Sequence, residues 1–534
     1  MIKQLFHTQT KSLGAASFIL GAAYLLSAFL GFLRDRILAS SFGAGQELDI
    51  YYAAFRLPDL VATIFIFGAV TAAIIPVFSG YLAKSASEAW RFAANLFNLF
   101  LLILVPVCLL LIVLAPLFIS WVAPGFSQAQ QDLTVDLLRI MFLSPVLLGL
   151  SNILSGILQV FRRFLVTALA PILYNLGIIF GAVVLAPLWG LWGLDWGVVI
   201  GAFLHLLIQI PSFWLAGFRP IAIYNFREKG FTEVLKLMAP RSLGLAAGQI
   251  NLIVITALAS GMSCGAITVF TLASNLAGTL TNLVAVSLAT AVFPALSLAF
   301  AQKETKQFIS QLSLIIRGAI FLLCPLSFFL FVLREPAVRF IFGAGRFDSS
   351  DIQLTAACLG IFSLGILAQG LILVVLKAFY ALHNTKLPAL VSLGAVLINA
   401  GLSLGLIKIF QQDSFLTKFF GAIILQKQFL IILALPLAFS LTAIIQLFLL
   451  GFFLHRQIGD YDLLVIGRST VLILISGFLA GLSSWWIFSQ TAAWGWFGQG
   501  LIAGLAGLAI YLFLSWLWHS PELKAVSFSI TRKR

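Results

Sequence analysis

Apolar runs of about 20 or more residues recur down this whole chain, each long enough to cross a hydrocarbon core of about 30 Å as a helix. Backbone N–H and C=O groups in lipid have no water to bond, so a spanning segment must satisfy them internally, as a helix or a closed barrel. Barrel strands read as short segments of alternating polarity, and the chain has no such pattern. The runs place fourteen helices at roughly 13–33, 60–83, 93–121, 137–161, 164–188, 191–216, 240–261, 264–299, 308–333, 352–382, 387–411, 429–454, 464–488 and 493–517. A soluble globular domain is excluded, because 61% of residues are hydrophobic, 9% are charged, and the mean hydropathy is +1.09. The N-terminal stretch has no convincing small-residue cleavage site, so a first helix from Leu13 is expected to be retained.

The net charge of +14 first suggests a nucleic-acid partner, but the placement of the charges argues against one. Of 32 Lys and Arg residues, 20 fall in connections on the side of the N-terminus, 9 on the opposite side and 3 (Arg139, Arg317, Lys377) inside helices near their ends, where they are expected to snorkel. Basic residues concentrate on the cytoplasmic side, so both termini of a multi-pass membrane protein are expected in the cytoplasm. The basic connector 224–237 suits an interfacial amphipathic helix. The Trp-rich segments around 186–197 and 483–498 read as interfacial belts. Cys108, Cys264, Cys324 and Cys358 fall in apolar runs and are expected to be buried thiols, not disulfides or metal ligands.

An internal repeat is also present. TAAIIPVFSGYLAK (71–84) resembles ATAVFPALSLAFAQ (289–302), and LASSFGAG (38–45) has a weaker echo in LASGMSCG (258–265). An offset of about 220 residues corresponds to six helices, an even number, so the halves are parallel repeats about an axis along the membrane normal. The expected fold is an all-α polytopic membrane protein of about fourteen transmembrane helices. Two six-helix lobes in parallel repeat surround a central cavity, with two extra C-terminal helices. The corresponding divisions are 1–223 (N-terminal lobe), 224–456 (connector and C-terminal lobe) and 457–534 (the last two helices and a basic tail).

One stretch breaks the apolar pattern. Between Gly31 and Asp59 lie Arg34, Asp35, Arg36, Glu47, Asp49, Arg56 and Asp59. A charge in the hydrocarbon costs on the order of 2.5–3.5 kcal/mol on insertion scales, so such residues face a wet cavity or a partner. Arg34 and Asp35 are expected where the first helix ends, Arg56 at the start of the second, and SFGAG as the turn between them. Two readings fit. In one, Arg34–Asp35 and Asp49–Arg56 pairs merely neutralise one another in a snorkelling loop. In the other, Arg34 and Arg56 form a cationic rim for an anionic head group, held by Asp35 and Asp49, because a planar guanidinium binds phosphate oxygens bidentately. The second half carries LASNL (272–276) near the place of AAFRL, so the fold does not itself require the arginine, which favours the second reading.

Gln249, Asn251, Asn275 and Asn282 are uncharged candidates to meet sugar hydroxyls, and they serve equally well as interhelical glue. Asn152, Asn175, His205, Gln209, Gln369 and Asn399 read as packing hydrogen bonders. Asp195, in GLDWG, is expected at a loop start. The segment 498–513 has small residues at close-packing spacing, which also suit a lipid-tail groove. HExxH, a Walker loop and acidic clusters are absent from the sequence, so no catalytic or metal site is expected.

The ordered set GFLRD…SFGAGQELDIYYAAFRLPDL (31–60), WVAPGF (121–126), LRIMFLSPVLLGLSNILSGILQVFRRF (138–164), LAPILYNLGIIFG (169–181), VRFIFGAGRFD (338–348) and KAFYALHNTKLP (377–388) resembles the MurJ (MviN) family. These are fourteen-helix lipid II flippases of the multidrug/oligosaccharidyl-lipid/polysaccharide exporter superfamily. The resemblance implies outward transfer of an undecaprenyl-pyrophosphate-linked disaccharide pentapeptide by alternating access, with a groove for the polyprenyl tail at the last two helices. It implies substrate contacts at Arg34, Asp35, Asp49 and Arg56, and partners comprising lipid II, membrane lipids and cell-wall synthesis machinery. It implies no cofactor, leaving coupling to an ion or to the membrane potential open. The chain departs from the family pattern at Ala28, at Ala62, Thr63 and Phe67, and at Ser274 and Asn275, where charged residues are common. The alternatives are a flippase for another polyprenyl-pyrophosphate glycan of O-antigen or capsule type, a drug/cation antiporter, and a transport-dead scaffold.

Overall fold

The structure, a computed structural model, describes residues 13–67, 73–412, 418 and 427–524. The expectations for Lys3, Lys11 and the basic tail, and the first two residues of the 71–84 repeat segment, lie outside the described residues. Among those described, all regular structure is helical, as an apolar solvent demands. Among the described residues, thirteen helices are long and apolar enough to cross a membrane. The expected second helix is the one not among them. It falls across the end of one α segment (Gln46–Ala62, which runs on through Pro58), a π turn at Thr63–Phe67 and a further α segment from Ile75, and residues 68–72 between them lie outside the described residues.

The chain divides into two compact units, Met1–Thr268 and Val269–Arg534. The first contains α1 (Leu13–Phe42), α2 (Gln46–Ala62), α3 (Ile75–Lys84), α4 (Ala86–Val113), α5 (Ala115–Val122), α6 (Gln128–Met141), α7 (Leu143–Val160), α8 (Phe164–Phe180), α9 (Leu191–Leu207), α10 (Ile210–Leu215) and α11 (Lys229–Ser260). Three boundaries differ from expectation. The first helix runs on for nine residues past Leu33 to Phe42, so Arg34 and Asp35 sit inside it and not at its end. The second begins at Gln46 instead of near Leu60, after a break over Gly43, Ala44 and Gly45 that Gly43 opens at φ +71. The basic connector is also not a separate helix, because α11 runs unbroken from Lys229 to Ser260.

Glycines let α8 and its continuation approach α9. A Cβ built on Gly181 would lie 2.5 Å from the Gly197 Cα, and Gly177 is similarly pressed against Gly201. Four-residue spacing of small residues is the usual device for close helix contact in lipid, where no hydrophobic force drives helices together. Beside this seam, Ser151 Oγ lies 2.6 Å from His205 Nδ1, Gln209 Nε2 donates to Ser151 Oγ (2.6 Å) and Ser155 Oγ donates to Gln209 Oε1 (2.7 Å). His205 and Gln209 thus are the packing residues expected of them. An apolar core of Phe78, Phe92, Ile153 and Phe213 adjoins them, with Trp90 stacked on Phe161.

The second unit holds most of α12 (Ala266–Ala301), then α13 (Thr305–Val332), α14 (Arg334–Phe342), α15 (Ser349–Ala381), α16 (Lys386–Gln411), α17 (Ala434–Ile458), α18 (Leu463–Gln490) and α19 (Gly495–Leu517). Arg317 does not snorkel. It pairs with Glu522 at 3.2 Å, with both side chains largely buried, and so fastens the segment after α19 to α13. Lys377 Nζ stands 5.3 Å from the Phe293 ring centre, whereas Arg139, paired with Asp136, is exposed. Cys108, Cys324 and Cys358 are buried, but Cys264 is exposed, because it lies in the turn between α11 and α12 and not inside a helix. Trp189, Trp192, Trp196, Trp485, Trp486 and Trp494 all present exposed faces, as belts at an interface do.

Filling the glycine seam should be costly. Gly197→Leu is expected to lower stability by about 1–3 kcal/mol, the usual penalty of overpacking, and to depress the thermal unfolding midpoint of the detergent-solubilised protein. Gly394→Ala, where a Cβ meets nothing within 4 Å, should leave the midpoint unchanged or raise it.

Candidate functional site

Four charged residues of the opening stretch, Arg34, Asp35, Asp49 and Arg56, are held by specific partners within the first unit. Arg34 stays next to Asp35, donating from Nε (2.9 Å) and Nη2 (2.8 Å) to the same Oδ1. Its Nη1 donates to Asn175 Oδ1 on α8 at 3.2 Å. Asn175 is in turn fixed by donating to the Ser27 hydroxyl (3.3 Å) and to the Pro171 carbonyl (3.2 Å). The Arg34 side chain keeps 25% of its surface accessible while that of Asp35 keeps 4%. A guanidinium has five N–H donors. Asp35 and Asn175 engage three of Arg34's, so the group is oriented on one side and open on the other.

Asp49 does not pair with Arg56. Its Oδ2 accepts from the Gly265 amide (2.7 Å), and its Oδ1 accepts from the Thr268 amide (2.8 Å) and hydroxyl (2.7 Å). The first N–H groups of a helix lack intrahelical partners, and an acidic side chain there also meets the positive end of the helix dipole. Asp49, 5% exposed, therefore caps the start of α12 from a distant part of the sequence, and it ties α2 to the 261–268 turn.

Arg56 is more deeply buried than the rim reading requires. It is 6% exposed, and its Nε donates to Thr256 Oγ1 at 2.7 Å, linking α2 to α11. Thr256 can accept because its own proton goes to the Leu252 carbonyl (2.8 Å). Asp59 lies close enough to act on Arg56 electrostatically. Gln249 and Asn251 share α11 with Thr256, and the side-chain oxygen of each is buried without a hydrogen-bond partner. Asn275 is half-buried on α12 in the second unit. The structure thus brings Arg34 with Asp35, and joins the helix of Arg56 to the helix of Gln249 and Asn251, while Asp49 is drawn into a helix cap.

Asn175, Thr256 and Thr268 carry this arrangement and were not singled out as site residues from the sequence. Asn175 stands 141 residues from Arg34 and Thr256 stands 200 from Arg56, so nothing local marks them. The one usable signal was that Asn175 is a polar residue inside an apolar helix. Among the described residues no group of three or more His, Cys, Asp or Glu side chains could hold a metal ion.

Comparison with known proteins gives these groups a context. Residues 38–502 match the family described as lipid II flippase MurJ. A probable lipid II flippase MurJ of Buchnera aphidicola subsp. Acyrthosiphon pisum is 31% identical over 72% of this chain and 77% of its own length. One from Rhizobium tropici is 28% identical over 96% of both chains. A solved lipid II flippase MurJ in an inward closed conformation superimposes with a TM-score of 0.76 at 25% identity, covering 94% of this chain and 99% of that one. An inward-facing multidrug-resistance MATE transporter of the MOP superfamily shares the fold, with a TM-score of 0.61 at 12% identity over 83% of this chain and 95% of that one.

The Asp49 cap can be tested apart from any activity. Asp49→Ala leaves the Gly265 and Thr268 amides without an acceptor, which should cost about 1–3 kcal/mol. It should also speed amide hydrogen exchange over residues 263–270, and Asp49→Asn should fall between it and the parent. Unaltered exchange in Asp49→Ala would remove the capping role.

Proposed function

The chain belongs to the lipid II flippase MurJ family, a family of transporters and not enzymes, and from that membership we propose that it moves lipid II from the inner to the outer leaflet of the bacterial inner membrane by alternating access. It is a multi-pass membrane protein. In this reading both termini face the cytoplasm, and the cell-wall synthesis machinery consumes what is delivered.

The observation that carries the reading is the state of Arg34. A guanidinium inside a membrane helix, fixed by a buried carboxylate and by an asparagine, and accessible on one side, is suited to the bidentate grip of a pyrophosphate. Asp35 holds the fork in position and moderates its charge. Arg56 joins it as a second contact in conformations where its bond to Thr256 is released. Gln249 and Asn251, whose oxygens are unsatisfied in this conformation, and Asn275 would accept hydrogen bonds from sugar hydroxyls, and Asp49 would act through the turn it caps. We assign residues 1–223 and 224–456 to the two repeat lobes and 457–534 to the tail-binding helices and basic tail. The tail assignment is supported by an apolar cleft of about 650 Å³ inside the second unit, lined by Phe328, Phe331, Phe478, Leu482 and Trp485, with Arg334 at its edge.

The departures at Ala28, Phe67 and Asn275 favour one competitor, a flippase for a different polyprenyl-pyrophosphate glycan, because they remove charges from the head-group region. Complementation separates the two. When the resident lipid II flippase is depleted, expression of this chain is expected to restore growth and lipid II exposure on the outer leaflet, and failure despite correct insertion would favour the other glycan. Arg34→Ala should lower flipping roughly ten- to a hundredfold, the worth of a hydrogen bond to a charged group, at normal membrane abundance. Arg34→Lys should recover only part of it.

The sidedness is tested by labelling. In a Cys264→Ser background, which removes the exposed native thiol, Ala129→Cys is expected to react with an impermeant thiol reagent added outside intact cells. Glu304→Cys should react only after lysis. The reverse pattern would invert the topology.

A further inference from the structure

Asp195 lies where a carboxyl group is least expected. It is not at a loop start but in the second turn of α9, 0% exposed, and neither carboxyl oxygen has a hydrogen-bond partner. Its neighbours Trp192 and Trp196 face outward at 41% and 40% exposure, so Asp195 turns inward to the first unit. Buried polar groups are nearly always paired, and an exception asks for an explanation. An ionised carboxylate in such surroundings is far costlier than a neutral one, because the charge has neither water nor a donor to stabilise it.

Two occupants relieve that cost, a proton or a metal cation. A hard cation such as Mg²⁺ or Ca²⁺ needs six or more oxygen ligands, and no polar protein atom lies within hydrogen-bond reach of either Asp195 oxygen. The donor set therefore suits a proton. The ionisable side chains on the elements packed against α9 are Tyr174 on α8, Asp132, Asp136 and Arg139 on α6, and Glu47, Asp49, Tyr51, Tyr52, Arg56 and Asp59 on α2, while α7 has none and α9 itself adds His205. Three of the charged groups among them are engaged elsewhere: Asp49 with Gly265 and Thr268, Arg56 with Thr256, and Arg139 with Asp136. Tyr51 is the group on which Asp195 acts electrostatically, and it is itself 2% exposed. No cation among them offers Asp195 a counter-charge.

We propose that Asp195 is a proton-binding site of the transporter, loaded in this conformation and emptied when rearrangement of the first unit gives its carboxyl group access to water. A buried carboxyl that exchanges its proton only in one conformation makes the balance of conformations depend on pH, since a ligand shifts an equilibrium by its differential affinity for the two states. Lipid transfer then responds to the proton gradient. Only that last consequence rests on the transport reading, whereas the protonation itself does not.

The experiment uses the full chain in lipid. Infrared spectroscopy of the purified, reconstituted protein at neutral pH should show the carbonyl stretch of a protonated carboxyl group, and Asp195→Asn should lose that band. Asn mimics the neutral form at almost the same volume, so the variant is expected to insert and to unfold at the parent's temperature. Its lipid II transfer in liposomes should no longer change with external pH, where the parent's changes at least severalfold. An unchanged band in Asp195→Asn overturns the proposal, and so does an Asn variant that cannot fold, because a neutral side chain would then not be tolerated there. Loss of the band with transfer equally pH-dependent in parent and variant overturns the coupling. A band that disappears in a protein that moves no lipid II at all would leave the proton site standing and count against the lipid II reading instead.

Discussion

Inside a bilayer a polar group can be satisfied only by the protein, and the first unit is organised around that constraint. The charges between Gly31 and Asp59 read in the sequence as a loop, which would leave them to the water and head groups of the interface. In the structure they are helical, and Arg34, Asp49 and Arg56 are each met from a distant part of the chain. Asn175 comes from α8 to Arg34, Thr256 from α11 to Arg56, and Thr268 from the start of α12 to Asp49. These bonds do what hydrophobic burial cannot do between lipid-bathed helices, since lipid tails are as apolar as leucine. Close contact at the glycine seam supplies the rest. The polar groups set which helices meet, and the glycines set how near they come.

The helix count and class were legible because hydrophobic length is a direct physical signal. The ends were less so, and for a common reason. Arg34, Asp35 and Glu47 looked like interface residues, so the first helix was expected to stop before them and the second to start after them. A helix that faces other helices can carry charge in mid-span, and periodicity does not show which of its faces does so. Asp195 failed in the same way: an acid beside two tryptophans suggested an interface, yet the tryptophans are exposed while the acid is buried. For the site, Arg34 and Asp35 were readable as a neighbouring pair, and they remain one. The Asp49–Arg56 pair was not real, because seven residues along a helix bring two positions to the same face only two turns apart, and both side chains found nearer partners. Asn175 and Thr256 lie more than a hundred residues from the arginines they hold, a relation that one sequence does not display.

The same constraint bears on how a flippase holds its cargo. A lone arginine in a dry cleft would bind a pyrophosphate strongly and release it slowly. Here Asp35 takes two of the Arg34 donors and Asn175 a third, so if Arg34 is the head-group contact proposed above, part of its hydrogen-bonding capacity is already spent before the lipid binds. What remains is enough to orient a phosphate, with a net charge near zero for the pair. A carrier that must bind on one leaflet and let go on the other needs comparable affinity in both states, because a state that binds much more tightly traps the cycle. Pairing the arginine limits that imbalance.

It also recasts the departures from the family pattern. The departures expected from the family resemblance put Ala28, Phe67 and Asn275 where charges were looked for, and in that reading fewer cations need partners in the apolar interior. Each cation removed spares a desolvation cost, and each also removes a contact to the substrate. Arg34 can stand with fewer helpers only if it is well oriented, since a fixed donor loses less freedom on binding than a mobile one. The Ser27–Asn175–Arg34–Asp35 chain of hydrogen bonds supplies that orientation from two helices. Fewer cations, each more firmly held, is a coherent way to recognise the same anionic group.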